Sequence, residues 1–467
     1  MTATTAADVE ISRALGRAAG DAARPATSST RLAESLALAV VGAAPLFLVV
    51  SGDPSTWKRG VILQAVDVFL IALAAVRLPV AGKRAFADRR GVSAGFIALL
   101  TALTIAFLAH RSSMGFMTLL RFAGAVSLVD VIAHARPHWR STAARVWLGW
   151  TVFEAGVAVT QKLLGRAIGV PGEVGIPFET LGTFTVPTGT SYGPHPIAAM
   201  GLVAIGVAVF AVHHRLVTRP WAVGGAGAGA VIVGVTCGTS GALSLVMVFI
   251  AGTVRAVRIA RRRSERVPAA PGVAPVLMAA ALAFGVAAVF SIDGWTFKAE
   301  RSVTTDVVAA SNGRAGMVEE AVAMIRRWPA FGVGPGRFLA TRDAHPEIKA
   351  LASEDQAVHN VALLIVTESG ALGAVALAFA AIAVARRIRA TPYALTALAA
   401  MFGHVMFDHA PWTFGLGMVQ LALVVGFATG QSSAEPTTQT EPTTQTEPTT
   451  QTEPTRRRAR GWREGGR

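Results

Sequence analysis

Residues 271–291 read PGVAPVLMAAALAFGVAAVFS, a run of small and branched apolar residues without one charged side chain. An α-helix needs roughly 20 such residues to cross the hydrocarbon core of a bilayer. Similar runs recur along the chain, and about twelve of them are long enough to span a membrane. They cover residues 33–51, 61–80, 91–109, 114–134, 144–164, 195–213, 220–237, 240–257, 271–291, 361–385, 391–409 and 412–430. The sequence therefore predicts an all-α fold, a polytopic transmembrane helix bundle.

The composition also favours a membrane protein over a large soluble domain. Hydrophobic residues make up 52% of the chain, charged residues make up 15%, and the mean hydropathy is +0.50. The formal net charge is +15, but the basic residues stand in short clusters beside the apolar runs. We therefore expect contact with membrane lipids and no nucleic-acid partner. Cys237 is the sole cysteine, which excludes an intramolecular disulfide and a multi-cysteine metal site.

The fourth and fifth predicted spans carry ionisable residues. Arg121 and Asp130 lie in the fourth span, and Glu154 lies in the fifth. A charged side chain in contact with lipid is costly, so such residues usually face the interior of a bundle. We expect these two spans to pack against other helices.

The basic clusters predict the orientation of the chain. With a cytoplasmic N-terminus, almost every cluster falls on an inside loop, as the positive-inside rule requires. The clusters are Lys83-Arg84, Arg89-Arg90, Arg136 with Arg140, Arg215 with Arg219, Arg255 to Arg266, Arg386 to Arg389, and Arg456 to Arg458. We expect a multi-pass protein of the cytoplasmic (inner) membrane with both termini in the cytoplasm. The first apolar run is expected to act as an uncleaved signal-anchor.

The predicted spans form one transmembrane domain, residues 33–430, between two polar ends. Residues 1–32 are expected to be a disordered cytoplasmic segment. Residues 431–467 repeat Glu-Pro-Thr-Thr-Gln-Thr and finish in a basic stretch, a composition that predicts disorder. Two long outer loops interrupt the domain, at about 165–194 and 292–358. The second, between spans 9 and 10, is expected to be partly helical, with an amphipathic helix from Arg314 that ends at Trp328-Pro329.

A glycine-rich stretch in the second outer loop reads Gly332-Val-Gly334-Pro-Gly336-Arg337-Phe338. Glycine permits positive φ angles, and the proline fixes a turn. The stretch lacks the Gly-Lys-Ser/Thr ending of a nucleotide-binding loop, follows no predicted strand and lies on the predicted outer face. We therefore interpret Gly334 and Gly336 as parts of a rigid turn that directs Arg337 toward the membrane surface.

His359-Asn360 stands where the second outer loop re-enters the predicted membrane. A lone histidine in a loop is usually solvated and inert. Here, however, Glu368 follows about two and a half turns deeper on the same predicted helix. A carboxylate within a span is a functional candidate by default, although it can also simply bond to a neighbouring helix. An imidazole with its ordinary pKa near 6.5 suits a general base for a hydroxyl nucleophile.

Arg314 and Arg337 carry fixed positive charge in the same outer loop. Their ordinary role would be to anchor the chain at the membrane interface. A guanidinium also presents a planar set of donors that matches phosphate oxygens and stays charged at any working pH. Two arginines and a histidine at the outer boundary suit a lipid-linked phosphate or diphosphate, whose departure as a leaving group fixed cations stabilise.

The order of these motifs resembles the O-antigen ligase and O-antigen polymerase family. The motifs are Gly313-Arg314, Trp328-Pro329, the glycine stretch 332–338, His359-Asn360 and Glu368-Ser-Gly370-Ala-Leu-Gly373. The segment from Gly182-Thr-Phe184 to His195-Pro196 is similar to the family's earlier outer loop, and Asp408-His409 to Trp412 to a late outer turn. The resemblance covers roughly residues 180–430.

The resemblance implies an inverting membrane glycosyltransferase. Such an enzyme moves a glycan from an undecaprenyl-diphosphate carrier to an acceptor hydroxyl on the outer face, in cell-surface polysaccharide biosynthesis, without a nucleotide sugar, metal or other cofactor. It implies that His359 activates the glycan or lipid acceptor and that Arg314 binds the donor diphosphate. Arg337 matches a motif position, and its charge makes it the expected second ligand of the diphosphate. Asn360, Glu368, Gly334 and Gly336 match supporting positions.

The chain departs from the family pattern at one position. Many members carry an arginine after the Thr/Ser at the outer start of the eighth span, where this chain has Gly241. The cations that could take its place are Arg166, Lys298, Arg301, Arg337 and Arg342.

Two other functions compete with glycan transfer. A secondary transporter suits about twelve spans, but such proteins show repeats and broken helices at the midplane, and no half-to-half similarity is evident here. A non-catalytic scaffold leaves the Arg314, Arg337 and His359 pattern without an explanation. The residues do not separate a ligase from a polymerase, which differ in their acceptors.

Overall fold

The computed structural model describes residues 27–46, 49–51, 61, 63–166, 168, 180–181, 184–191, 193–262, 272–304, 307–352, 356–391 and 393–430. About 82% of these residues are helical, which confirms the all-α fold. The predicted disordered tail 431–467 lies outside the described residues, as do residues 1–26 and half of the segment predicted as the first outer loop.

The described residues form helices and two short antiparallel strand pairs. The helices are α1 (Ser28–Ala43), α2 (Ala65–Ala87), α3 (Val92–Ala109), α4 (Ser113–His134), α5 (Pro137–Leu164), α6 (Pro194–His213), α7 (Arg219–Thr236), α8 (Thr239–Arg262), α9 (Val273–Phe290), α10 (Ile292–Thr304), α11 (Val307–Arg327), α12 (Phe338–Ala344), α13 (Pro346–Lys349), α14 (Val361–Ala390), α15 (Ala394–Phe407), α16 (Ala410–Thr413) and α17 (Gly415–Thr429). Strand β1 (Val49–Ser51) pairs with β2 (Leu63–Gln64), and β3 (Thr180–Leu181) pairs with β4 (Phe184–Thr185).

The long helices lie where the sequence predicts spans. Within the described residues, seven helices are long and apolar enough to cross a membrane, namely α2, α3, α4, α6, α8, α9 and α14. Helices α15 and α17 are apolar but shorter. The protein is therefore a membrane-embedded helix bundle, whereas the count of about twelve spans stays a prediction.

Helix α6 forms the centre of the bundle. In its most apolar window 89% of the residues are buried, and it packs against α7, α15 and α17. Helix α9, which contains the run quoted first, has only 22% of its window buried. Its exposed side chains Met278, Leu282 and Val286 are suited to contact with lipid, so α9 lies at the periphery.

The ionisable residues inside the spans face the interior, as predicted. Arg121 donates to Asp67 at 2.7 Å, and Asp130 accepts from Arg77 at 2.7 Å. Glu154 accepts a hydrogen bond at 2.9 Å from a backbone N–H in the loop before α6. Arg121 and Asp130 are therefore paired with opposite charges inside the bundle, where an isolated charge would be costly, and Glu154 is hydrogen-bonded there.

Several predicted boundaries change. Helix α1 begins at Ser28, inside the segment 1–32 that was predicted to be disordered, α2 continues to Ala87, and α5 already begins at Pro137. The first span was predicted to reach residue 51, but α1 ends at Ala43. Pro45 follows closely and has no N–H with which to continue the helix. Helix α14 extends beyond the predicted residue 385 to Ala390, and it is broken at Gly370, where φ is +63° and ψ is −156°.

The second outer loop is largely helical in its described part, through α10 to α13. Helix α11 begins at Val307, seven residues before the predicted start at Arg314, and it ends at Arg327, directly before Trp328-Pro329 as predicted. Met317, Ala321 and Met324 on α11 are buried, whereas Arg314 and Arg326 are exposed. The helix is therefore amphipathic, with its apolar side against the rest of the protein.

Candidate functional site

Four histidines and one aspartate gather at one end of the bundle, where α14 and α6 begin and α15 ends. We call this set the histidine cluster; it consists of His195, His359, His404, Asp408 and His409. The first and last members, His195 and His409, are more than 200 positions apart in the sequence, so the packing of α6, α14 and α15 brings the cluster together. It lies at the predicted outer boundary of the membrane.

His359 is a half-buried member of the histidine cluster. Its ring centroid lies 5.1 Å from that of His409, and its Nδ1 atom is buried without a hydrogen-bond partner among the described residues. The pKa of His359 is lowered to about 4, mainly by burial; positive charge at His409 and Arg314 contributes to this shift, and Asp408 opposes it. The imidazole is therefore neutral at neutral pH and can accept a proton.

Arg314 approaches the cluster from α11. Its side chain is exposed, and its charge contributes to the lowered pKa of His359. The structure thus places these two predicted site residues within electrostatic range of each other. An exposed guanidinium beside a neutral imidazole can hold an anion without protonating the base.

The other cluster members form a bonded support. His195 Nδ1 lies 3.8 Å from Asp408 Oδ2, and His404 Nε2 lies 3.1 Å from the His195 carbonyl oxygen, to which it can donate. The Nδ1 atom of His409 lies 3.0 Å from the hydroxyl of Thr413. The sequence shows His195 and Asp408-His409 at the ends of spans, but it assigns them no role in a common site, and it gives no role to His404.

Asn360 fixes the position of His359. Its side-chain oxygen accepts a hydrogen bond from the Leu363 backbone at 2.9 Å, which caps the start of α14. Its amide nitrogen donates to the Met406 carbonyl oxygen at 3.3 Å, at the end of α15. Asn360 therefore ties the residue beside it to two helices.

The glycine turn, residues 332–337, packs against the break in α14. Gly332, Gly334 and Gly336 all have positive φ angles, of 65°, 94° and 65°. The N–H groups of Val333 and Gly334 donate at 3.0 and 2.9 Å to the carbonyls of Thr367 and Glu368. Because helix α14 is broken at Gly370, the turn supplies partners for carbonyls that would otherwise be unpaired.

Glu368 holds the same turn through its side chain. The carboxylate is 3% exposed and accepts a hydrogen bond from Trp412 Nε1 at 3.0 Å. It also accepts from the backbone N–H groups of Gly336 and Phe338. These contacts give Glu368 a positioning role at the glycine turn.

Arg337 is the last residue of the glycine turn and lies beside His110, at the end of α3. Burial lowers the pKa of His110, and the charge of Arg337 lowers it further. Arg337 is half-buried. In the described contacts Arg337 is thus associated with His110 and Arg314 with His359, so the two predicted donor ligands approach from different elements.

The alternative cations occupy different surroundings. Arg166 is exposed just beyond α5, and Arg342 is buried with its Nη2 atom 3.3 Å from Asp343. The side chains of Lys298 and Arg301 lie outside the described residues.

Gly241, where the chain departs from the family pattern, lies close to α6. A Cβ atom at Gly241 would lie 3.7 Å from Ala198, which is one helical turn after His195. Gly241 therefore lies about one helical turn from the histidine cluster.

Within the described residues no group of three or more His, Cys, Asp or Glu side chains is arranged to hold a metal ion.

No family model matches the chain, and no curated protein is significantly similar to it in sequence. The resemblance to the O-antigen ligase and polymerase family therefore stays a prediction that rests on the motifs.

Proposed function

We propose that the protein transfers a glycan from an undecaprenyl-diphosphate-linked donor to an acceptor hydroxyl, at the outer face of the cytoplasmic membrane. The observation that carries the proposal is the proximity of Arg314 to a neutral, half-buried His359 at one end of the bundle. A base next to a fixed cation suits a reaction in which a hydroxyl loses a proton and a diphosphate leaves.

The proposed reaction needs one proton transfer and one displacement. His359 accepts the proton of the acceptor hydroxyl as its oxygen attacks the anomeric carbon. The bond from that carbon to the diphosphate oxygen breaks with inversion, and the carrier leaves as its diphosphate anion. Arg314 compensates the charge that develops on this leaving group. Neither a metal nor a nucleotide takes part.

The supporting residues have distinct roles in this proposal. Asn360 fixes the backbone at His359 through its contacts with α14 and α15. Glu368 and the glycine turn hold Arg337 at a fixed position, from which it serves as a second ligand of the donor diphosphate. The bundle contributes an apolar surface along which a polyprenyl chain can lie.

The decisive experiment measures transfer by purified protein in lipid nanodiscs from a synthetic undecaprenyl-diphosphate oligosaccharide. We expect His359→Ala to lower the rate by about 100-fold or more, the contribution of a general base. His345→Ala is the matched control, because His345 lies in the same outer segment and contacts Glu347 at the surface. Wild-type turnover by a correctly folded His359→Ala protein would exclude His359 as the base.

The same assay separates a ligase from a polymerase. Transfer to a second carrier-linked glycan identifies a polymerase, and transfer to a different acceptor molecule identifies a ligase. Each acceptor is supplied alone with the labelled donor, so that the product reports which hydroxyl is used.

One observation favours the alternative of a secondary transporter. Helix α14 is broken at Gly370, and broken helices form the ion and substrate sites of many transporters. In this protein, however, the carbonyls of Thr367 and Glu368 at the break are bonded to the glycine turn. Accumulation of a solute in proteoliposomes under an ion gradient, together with no glycan transfer, would establish the transporter instead.

A further inference from the structure

A cavity of about 530 Å³ opens between α2, α3, α4, α14 and α17. It lies at the end of the bundle opposite the histidine cluster. His359 lies just before the first residue of α14, and the cavity residue Arg386 lies near the end of that helix, so a rise of 1.5 Å per residue over its two segments separates them by at most about 40 Å. None of the residues that line the cavity belongs to the histidine cluster. The cavity is therefore a separate site that the proposed transfer reaction does not use.

The ionisable lining of this cavity is predominantly basic. Its fixed charges come from Arg84, Arg90, Arg386, Arg387, Asp88 and Asp130. We call it the arginine cavity. Asp130 is already compensated, because it accepts hydrogen bonds from Arg77 at 2.7 Å and from Arg84 at 2.9 Å. With one of the two carboxylates neutralised in this way, the cavity keeps an excess of positive charge.

Besides Arg84, three arginines line the arginine cavity. Arg90 and Arg386 are exposed, and they come from two different elements on the cavity wall. Arg387 donates from Nε to the Thr429 carbonyl oxygen at 2.9 Å, which fixes the plane of its guanidinium. Several guanidiniums around one space match the several oxygens of a phosphate group, each of which accepts hydrogen bonds.

The size and surroundings of the arginine cavity fit a phosphate ester. Its volume lies within the range of small-molecule sites and exceeds that of one phosphate ion. Val92, Val129 and Ala383 provide an apolar part of the wall. Nearby, Phe86 is 76% exposed and has the Arg89 guanidinium 5.3 Å from its ring centroid. An exposed aromatic ring beside basic residues is typical of the headgroup level of a membrane.

We propose that the arginine cavity binds a phosphate-bearing anion. An anionic phospholipid, through its headgroup, and a free phosphate ester present the same chemistry to the cavity. The positive-inside rule places this end of the bundle in the cytoplasm, where both are present. The proposal does not depend on glycan transfer.

The test compares a cavity variant with a charge-matched control. The cavity variant combines Arg90→Gln with Arg386→Gln, and the control combines Arg258→Gln with Arg389→Gln. All four arginines are exposed, but Arg258 and Arg389 lie outside the cavity lining. Full-length protein is titrated with phosphatidylglycerol against phosphatidylcholine and followed by native mass spectrometry. Glycerol 3-phosphate and inorganic phosphate are titrated separately by calorimetry.

We expect the wild type to prefer phosphatidylglycerol to phosphatidylcholine and the cavity variant to bind it at least about tenfold more weakly. The control should bind as the wild type does. Binding of phosphatidylglycerol alone assigns the site to lipid headgroups, whereas additional binding of the soluble phosphates assigns it to the phosphate group itself. The proposal would be overturned if the wild type showed no preference for phosphatidylglycerol and bound neither soluble phosphate, or if the cavity variant and the control lost binding equally.

Discussion

The rings of His359 and His409 lie 5.1 Å apart, centroid to centroid, although 49 positions separate the residues in the chain. His359 precedes α14, and His409 follows α15, so the pair lies where the first of these two consecutive helices begins and the second ends. Their proximity ties the proton affinity of one imidazole to the charge of the other.

Transfer should persist into acid. Because the pKa of His359 is lowered to about 4, the imidazole stays neutral at about pH 5, where an ordinary histidine is mostly protonated. Activity should fall only as the pH drops toward 4, since protonation removes the base. His409→Ala removes a positive neighbour and should shift this acid limb upward by a measurable fraction of a pH unit. The dependence of kcat/KM on pH, with His345→Ala as the unshifted reference, checks this expectation; an acid limb near 6.5 in the wild type contradicts it.

Arg314 should govern donor binding. We expect Arg314→Gln to weaken binding of the undecaprenyl-diphosphate donor by about tenfold or more, the effect of losing hydrogen bonds to a charged group. Arg326→Gln is the matched control, since Arg326 is exposed on the same helix. Donor affinity is measured by titration in nanodiscs. Equal affinities for the two variants would remove Arg314 from the donor site.

Gly370→Ala should destabilise the bundle. The φ angle of +63° is unfavourable for alanine, and a Cβ atom would lie 2.5 Å from the Ala330 backbone and 2.6 Å from the Gly332 nitrogen. The strain alone costs about 1–3 kcal/mol, and the overlap adds to it. Gly156→Ala, on the open face of α5 with no heavy atom within 4 Å, should be neutral or slightly stabilising. Thermal unfolding in detergent measures both, and an unchanged Tm for Gly370→Ala would contradict the structure.

Trp412→Phe should loosen the glycine turn. The substitution removes the Nε1 donor that lies 3.0 Å from Glu368, and a buried carboxylate that loses a partner costs about 1–3 kcal/mol. Trp221→Phe, at a position that is 44% exposed, is the control for loss of an indole. Hydrogen exchange of the backbone at residues 332–338 should speed up in Trp412→Phe alone. Similar exchange in both variants would show that this bond does not hold the turn.

The sequence predicts the positions of the long helices well, because an apolar run of sufficient length has few other stable states in a membrane. It also predicts the end of α11, where Trp328-Pro329 interrupts the helix. The break at Gly370 is different. Its local sequence is compatible with a continuous helix, and the break depends on partners supplied from residues 329–334.

The candidate site, like the break at Gly370, depends partly on tertiary contacts that the local sequence does not show. The sequence selects Arg314 and His359 because charged and titratable residues are rare among apolar ones. It does not reveal that Arg337 lies beside His110 or that His195 and Asp408 share the surroundings of His359. These relations depend on how α3, α6 and α15 pack, and no local pattern encodes that packing.

The bonds between the glycine turn and α14 restrict which parts of the protein can move. If the turn swung away, the carbonyls of Thr367 and Glu368 would lose the N–H groups of Val333 and Gly334 in an apolar environment. Each unpaired group there costs several kcal/mol. The turn is thus an integral part of the bundle wall and not a lid. If the proposed transfer takes place, entry of the lipid-linked donor therefore depends on movement of other segments, while the glycine turn stays in place.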